Sequence, residues 1–521
     1  MGKLDIVLGV SSVALMAFSL NFFIQRNIIY GLIFLSPSLV LGVLAIAYRR
    51  SRKIGKLDRK LVIAIIHMYA VSLGNVRSLD IIDVVASSPE YGAYSMVFRT
   101  VLDLAVNFGH GLSKALAQIA NTVKPPLKDV LIRMTEAFST TTPRDFLELE
   151  TSTIIEEYSG YYVRALDSLK MIGGIFSTFQ SVTVLIVLTM SIFTIFSGST
   201  DMILFSYAIA AASISFLVAA FKVIVPKEEV VYFGVGGSRS YKLFLLSLLS
   251  IPLSIALFLL LMITSNIDLS LAILFLGLGS LPPGILAYRF ERSVLHIDSY
   301  YPSFIKTLGE NLESTLNLKS ALEYVSYVHL GPLEKIVRKA LIWLKLGLSC
   351  RKSLELMSSE SQSYLIHVFN KILSDSLDSG SSPLKVSKIL SNAVIKFLDF
   401  RKRRLSASKG IEAAILVLQA ISVFILVTVS DLLGFFTGMA VPSTYFPFYS
   451  VPVSLIGLGN IALVILTSIA NALVINISRG GFWGSFLLHL SILLIIGWSS
   501  MWASDIVIGY LISQFKFDIL M

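Results

Sequence analysis

Long stretches without a charged residue constrain this chain more than any other feature of its sequence. A helix needs about 20 apolar residues to cross about 30 Å of hydrocarbon. Nine stretches are of this kind: residues 6–25, 27–48, 171–200, 202–221, 243–267, 269–288, 413–430, 432–478 and 480–504. In the eighth, the span is expected to follow a loop from Gly434 to Ser450. We therefore predict an all-α, polytopic membrane protein with about nine transmembrane helices.

The charged residues lie between these stretches and indicate the orientation of the chain. Nearly all of the 43 lysine and arginine residues fall in segments 49–170, 222–242 and 289–410. Because basic residues accumulate on the cytoplasmic side of a membrane, these segments are expected inside, with the N-terminus inside and the C-terminus outside. The net charge of +10 does not require nucleic acid, since basic residues beside spans are favoured by anionic membrane lipid.

The chain also matches itself at a shift of about 240 residues, which is typical of an internal repeat. The equivalent pairs include Asp58 and Asp298, Pro143 and Pro383, Arg164 and Arg403, and Gln180 and Gln419. Each copy carries four spans, so both copies have the same orientation and are expected to be related by a pseudo-two-fold axis along the membrane normal. The ninth span stands outside the repeat.

Spans, charge and repeat together predict seven successive segments. They are a first transmembrane pair at 1–48, a cytoplasmic helical domain at 49–170, a second transmembrane pair at 171–221, a cytoplasmic linker at 222–242, a third transmembrane pair at 243–288, a second cytoplasmic helical domain at 289–410 and three C-terminal transmembrane helices at 411–521. In each helical domain a hydroxyl residue followed by proline, Thr142-Pro143 or Ser382-Pro383, predicts the start of a long helix that continues into the next span. Glycines at 160, 173 and 174 are expected to bend the first of these helices.

The sequence lacks the patterns typical of catalysis or metal binding. The six histidines fall in no metal-ligand spacing, and no nucleotide-binding signature is present. Gly234-Val235-Gly236-Gly237 lacks the lysine of a phosphate loop and is interpreted as a flexible linker, and the neighbouring pair Glu228-Glu229 as a solvated surface or a partner contact. We therefore predict that the protein is not an enzyme and has no catalytic residue, metal site or cofactor.

Two glutamines are the most informative polar residues within the spans. A transporter is expected to place ionisable groups deep in the membrane, whereas the acidic residues here lie near span ends. Gln180 and Gln419 occupy equivalent sites in the third and seventh spans. We predict that they hydrogen-bond across the pseudo-two-fold axis and join the two copies.

Basic clusters flank two of the spans. They consist of Arg49, Arg50, Arg52 and Lys53 after the second span, and Arg401, Lys402, Arg403 and Arg404 before the seventh. Such clusters fix membrane topology, and they can also dock an acidic surface of a cytoplasmic partner. The two interpretations are compatible.

A turn and helix found in both copies resembles a known family. The pattern is an apolar residue, Gly, any residue, Gly or Ser, four further residues and Leu, ending at Leu116 in the first copy and at Leu354 in the second. With the small-residue turn Asp378–Leu384, it resembles the type II secretion system F family. The nine-span layout is similar to that of the archaeal platform proteins of the archaellum and of type IV-like pili.

This resemblance implies a multi-pass platform in the cell membrane that assembles a filament. A secretion-type hexameric ATPase would bind the cytoplasmic domains, with the two basic clusters as candidate docking residues, and pilin-like or archaellin subunits would be extracted from the bilayer lipid. A homodimer and a monomer are both left open, and no nucleic acid is implied. The alternative is a transporter or channel built from two parallel repeats, which would place polar residues at mid-span around a cavity.

Overall fold

The computed structural model describes residues 57–140, 143–198, 200–234, 239–265, 268–439, 449 and 453–520. The first predicted transmembrane pair, the basic residues Arg49, Arg50, Arg52 and Lys53, and Thr142 lie outside these ranges. Among the described residues the regular structure is helical, and the one β-type pairing is an isolated bridge between Val231 and Ser363.

The helices of the two halves follow each other in a matching order. Those of the first half are α1 (Arg59–Ser72), α2 (Ser78–Ala86), α3 (Ala93–Leu102), α4 (Leu112–Ala120), α5 (Leu127–Thr140), α6 (Pro143–Ser197) and α7 (Asp201–Ile224). Those of the second half are α8 (Arg239–Ser247), α9 (Ser250–Ser265), α10 (Leu271–Thr315), α11 (Leu318–Val325), α12 (Leu333–Lys345), α13 (Cys350–Ser361), α14 (Tyr364–Asp378), α15 (Pro383–Met439), α16 (Val453–Arg479) and α17 (Phe486–Leu520). Short irregular turns of helix lie at Pro89–Tyr91, Asp103–Asn107 and Trp483–Ser485.

Seven stretches of the described helices are long and apolar enough to cross a membrane. They lie in α6, α7, α8 together with α9, α10, α15, α16 and α17. These are the seven spans that the sequence predicts within the described ranges. The protein is therefore a multi-pass, all-α membrane protein.

Two very long helices each belong both to a helical bundle and to the membrane. Helices α6 and α15 have 55 and 57 residues and begin at the equivalent prolines Pro143 and Pro383. At 1.5 Å per residue each is about 80 Å long. Before α15, the hydroxyl of Ser382 accepts a hydrogen bond from the backbone N–H of Lys385 at 3.5 Å, as an N-cap residue does.

The glycines at 160, 173 and 174 do not interrupt α6, which is helical throughout. Gly173 instead permits a close approach between α6 and α15. A Cβ atom at Gly173 would lie 2.8 Å from Cγ1 of Ile411, well inside van der Waals contact. The small residue is therefore explained by packing between the two long helices.

Helix α1 lies at the centre of the part of the chain outside the spans. Every residue from Leu61 to Ser72 is buried, so the helix has no solvent-facing side. It packs against α2 and α6 of its own bundle and against α14 of the other. We refer to α1–α5 with the start of α6 as the first bundle, and to the end of α10, α11–α14 and the start of α15 as the second bundle. One continuous apolar core runs through both bundles, so they fold against each other.

Candidate functional site at the junction of bundles and spans

The segment between α7 and α8 carries an acidic side chain into the interior of the protein. Glu228 has a side chain only 10% exposed, so its interpretation as a solvated residue is wrong. Its carboxylate accepts a hydrogen bond from Nε of Arg401 at 2.5 Å and lies 3.7 Å from Nη1 of both Arg59 and Arg404. One carboxylate thus joins the linker, α1 of the first bundle and α15 of the second.

A second buried carboxylate completes this group. Asp298, in α10, is fully buried and accepts hydrogen bonds from Nη1 of Arg401 at 2.6 Å and from the hydroxyl of Ser363. Because a guanidinium group presents several N–H donors in one plane, Arg401 can hold both carboxylates at once. We call Arg59, Glu228, Asp298, Arg401 and Arg404 the junction cluster.

The Arg404 side chain ties the junction cluster to the ends of two spans. Its guanidinium donates to the carbonyl oxygens of Ser478 at 2.9 Å and Ile477 at 2.8 Å, both in the last turn of α16. It also donates to the carbonyl oxygen of Pro226 at 2.8 Å, just beyond α7. The last carbonyl groups of a helix lack partners within the helix and carry partial negative charge, so an arginine binds them well.

Positive charge keeps Glu228 ionised despite its burial. Burial disfavours the charged carboxylate, but the charges of Arg401, Arg404 and Arg59 outweigh that effect and hold the pKa of Glu228 below its ordinary value. Ion pairs as buried as this one gain little net stability, because both groups have lost their water. Loss of one member is nevertheless costly, since it leaves the opposite charge unpaired. The junction cluster is therefore best understood as fixing geometry.

The linker is held along the second bundle beyond Glu228. The backbone N–H of Tyr232 donates to Gln362 at 2.8 Å, and that of Tyr364 donates to Val230 at 3.0 Å. The Tyr232 ring stacks on the imidazole of His367, with 3.7 Å between ring centroids. Gly234 lies close to the second bundle, since a Cβ at this position would overlap the hydroxyl oxygen of Ser359. Residues 235–237 lie outside the described ranges.

Charged side chains also join the two bundles to each other. Glu90, in the first bundle, lies 2.7 Å from Nζ of Lys371 and 3.4 Å from Nε2 of His367. Burial opposes ionisation of Glu90, but hydrogen bonds from His367 and Lys371 prevail and lower the pKa of its carboxyl to about 2. Nearby, Nε2 of His67 lies 3.3 Å from Asp375, and burial lowers the pKa of that imidazole.

Within the spans the structure brings Gln180 and Gln419 together. Nε2 of Gln180 lies 3.5 Å from Oε1 of Gln419, and both side chains are buried. Gln419 makes closer hydrogen bonds to α16, where it accepts from Asn471 at 2.8 Å and donates to Ser468 at 3.0 Å. Sequence reasoning identified the two glutamines but missed Asn471 and Ser468, which anchor one of them.

The basic cluster at the start of the seventh span divides into two faces. Arg401 and Arg404 are 5% and 2% exposed, so the prediction that they dock a partner is wrong. Lys402 and Arg403 are exposed, and Arg403 pairs with Asp399 at 2.8 Å. The sequence spacing could have indicated this division, because residues three or four apart share a face of a helix. Arg401 and Arg404 share a face with the apolar Phe397, and that face is buried. The cluster Arg49–Lys53 lies outside the described residues.

The junction consists of paired charges and hydrogen bonds that fix helices relative to each other. Within the described ranges, no group of three or more His, Cys, Asp or Glu side chains is arranged to hold a metal ion. Sequence reasoning missed Arg59, Glu228 and Asp298 as members of this site. Of these three residues, only Asp298 stood out in the sequence, because it is the equivalent of Asp58 in the repeat. Asp58 caps α1 by accepting a hydrogen bond from the backbone N–H of Leu61 at 3.0 Å.

Two curated relatives are similar to this chain along most of its length. Flagella accessory protein J of Methanocaldococcus jannaschii is 24% identical over 521 residues, which cover 93% of this chain and 91% of the relative. Flagella accessory protein J of Methanococcus voltae is 23% identical over 487 residues, which cover 85% and 83% respectively. No protein-family model matches the chain, and no solved structure matches it. The similarity to the two relatives therefore extends over bundles and spans alike.

Proposed function

We propose that this chain, through its similarity to proteins named for an accessory role in flagella, is the membrane platform of an archaellum-type filament assembly machine. It acts without catalysing a reaction. Its bundles face the cytoplasm and bind a secretion-type hexameric ATPase, while pilin-like or archaellin subunits leave the bilayer beside its spans. The observation that carries this proposal is the mechanical continuity between bundles and spans.

That continuity has two structural sources. Helices α6 and α15 pass from bundle to membrane as uninterrupted helices, so a displacement of a bundle is transmitted to a span without an intervening loop. The junction cluster braces α15 where it approaches the membrane, since Arg401 and Arg404 of α15 hold α10, the linker and the end of α16. A platform that passes force from a motor to membrane-embedded subunits needs such stiffness.

The exposed basic residues support the proposed orientation. Lys402 and Arg403 project outward about ten residues before the apolar part of α15, where a helix rising 1.5 Å per residue approaches the bilayer surface. Anionic lipid on the cytoplasmic side favours each such residue by about 1 kcal/mol. These two residues are therefore assigned to contact with membrane lipid, with the N-terminus inside and the C-terminus outside.

The intramembrane amides support a scaffold over a transporter. Gln180, Gln419 and Asn471 bond to neighbouring helices, and such bonds hold membrane helices together. We assign the contact between Gln180 and Gln419 to joining the two copies of the repeat.

A deletion strain tests the proposed function. Cells that lack this chain should synthesise filament subunits but show no surface filament by electron microscopy, and a wild-type copy should restore the filament. The chain purified from restored cells in mild detergent should retain the hexameric ATPase. Normal filaments in the deletion strain would contradict the proposal, and loss of the subunits themselves would point to an indirect effect on their synthesis.

A further inference from the structure

The junction cluster contains three arginines but only two carboxylates. All five side chains are at most 11% exposed, so water screens the remaining positive charge poorly. The acidic residues adjacent to cluster members in the sequence are engaged elsewhere, since Asp58 accepts a hydrogen bond from the backbone N–H of Leu61 and Glu229 pairs with Lys60. A buried charge without a counterion is costly. Among the described residues the cluster therefore lacks one negative charge.

Arg59 is the arginine of the cluster whose charge is least compensated. Its Nη1 lies 3.7 Å from a carboxylate oxygen of Glu228, whereas Arg401 donates hydrogen bonds to two carboxylates. Nε and Nη2 of Arg59 are buried and have no acceptor among the described residues. The guanidinium lies over the ring of Phe397, with 5.1 Å between Cζ and the ring centroid, and an aromatic face attracts a cation without replacing a hydrogen-bond acceptor. Two donors of one buried cation are thus available to a ligand.

A small cavity lies beside Arg59 and adds a third donor. It has a free volume of about 10 Å³, enough for one water-sized group, and Arg59, Tyr162 and Arg404 are among the residues that line it. Tyr162 is buried, and its hydroxyl has no acceptor within the described ranges. Burial raises the pKa of this phenol to about 12, so the hydroxyl keeps its proton and can donate it to a hydrogen bond. Lys227 also lines the cavity and is exposed, so the cavity is reached from solvent past a positive charge.

Charge and size together define the ligand that this cavity fits. The N–H groups of Arg59 and the O–H group of Tyr162 bind an acceptor, and the excess positive charge favours an acceptor that carries one negative charge. A water molecule would satisfy the donors but leave the charge without a counterion. Room for one water-sized group excludes phosphate and a lipid headgroup.

We propose that the cavity beside Arg59 binds one small monovalent anion of the size of chloride, which neutralises the junction cluster. Arg59 belongs to α1 and Tyr162 to α6, so the anion joins both helices of the first bundle to the arginines of α15. The junction that braces α15 thereby includes α6, the other long helix. This inference concerns the fold of the junction and does not rest on a role in filament assembly.

Thermal unfolding of the full-length chain in detergent micelles tests this inference, with sodium chloride as the probe. Chloride is titrated against sodium gluconate at constant ionic strength, so that the screening of surface charges stays the same throughout. Gluconate is too large for the cavity. The midpoint of unfolding should rise with the chloride concentration, because a ligand that binds only the folded state stabilises it by mass action. Bromide, which has the same charge and a similar size, should replace chloride.

Three substitutions locate the anion. Arg59→Gln removes the excess charge and should weaken chloride binding at least about 100-fold, whereas Tyr162→Phe removes one neutral donor and should weaken it about tenfold. Lys60→Gln is the matched control, because it removes one positive charge from the residue next to Arg59, which pairs with Glu229 outside the cavity. This control should keep the chloride dependence of the wild type.

Glu228→Gln distinguishes charge compensation from a structural role. This substitution raises the excess positive charge of the junction cluster from one to two. The variant should therefore bind chloride at least as tightly as the wild type, although its fold is less stable. Weaker chloride binding by Glu228→Gln would contradict compensation of charge by the anion.

Equal midpoints of the wild type in chloride and in gluconate would mean that the cavity holds water only, and would overturn the inference. Chloride dependence that persists in Arg59→Gln, or that is lost in Lys60→Gln, would overturn the assigned site. If Arg59→Gln does not fold, Tyr162→Phe decides alone, because it keeps the aromatic ring and every charge of the cluster. Unchanged chloride affinity in Tyr162→Phe would then refute binding in this cavity.

Discussion

Replacement of Glu228 by glutamine removes one charge from the junction cluster and keeps the shape of the side chain. Arg401 would retain Asp298, whereas Arg59 and Arg404 would lose the carboxylate that they share. Removal of one partner of a buried ion pair costs about 3–5 kcal/mol, because the opposite charge stays buried without compensation. Since Asp298 remains in place, we expect a loss near the lower limit, about 3 kcal/mol in the free energy of unfolding.

The adjacent residue provides a matched control. Glu229 is 52% exposed and pairs with Lys60 at 3.2 Å. Exposed pairs contribute at most about 1 kcal/mol, so Glu229→Gln should have a small effect. Denaturant titration of the full chain in detergent micelles measures both variants. A double-mutant cycle of Glu228→Gln with Arg401→Gln should give a coupling energy of about 2–3 kcal/mol.

The pH dependence of stability supplies a second test of the same residue. The folded-state pKa of Glu228 lies below its ordinary value of 4.5. The stability that it contributes is therefore fully present above pH 4.5 and is lost as the pH falls towards the lowered pKa. The Glu228→Gln variant should therefore lose less stability than the wild type as the pH falls below 4.5. If Glu228→Gln is no more destabilising than Glu229→Gln, or if the coupling energy is near zero, the junction cluster does not brace the fold.

Two further substitutions probe other contacts. The wild-type chain should lose about 1–2 kcal/mol of stability as the pH falls from 4.5 to about 2, because the pKa of Glu90 is lowered only in the folded state, and the Glu90→Gln variant should not show this loss. Measurement of the thermal midpoint as a function of pH tests this, and identical pH profiles for variant and wild type would contradict it. Gln419→Leu should destabilise the chain by about 1–2 kcal/mol and Gln180→Leu by less than about 1 kcal/mol, because Gln419 makes the shorter hydrogen bonds. Titration with a denaturing detergent measures both variants, and a larger destabilisation by Gln180→Leu than by Gln419→Leu would refute the assignment.

Local sequence patterns predicted the elements that depend on local physics. Charge-free stretches located every span within the described residues, because a bilayer imposes a length and a polarity on any helix that crosses it. The Ser382-Pro383 pair predicted where α15 begins, since an N-cap hydroxyl and a proline at the first position favour a helix start.

Sequence by itself thus determined that this is a membrane protein with a repeated helical unit and two long helices. Only the tertiary structure decided which charges are buried. Arg401 and Lys402 are adjacent basic residues, yet a rotation of about 100° per residue turns one towards Asp298 and the other towards solvent. Glu228 is buried only because the linker crosses the junction of α1 and α15, a path set by contacts with residues far away in the chain. Burial is a property of the assembled packing, and a charged side chain can be interior when distant elements supply its partners.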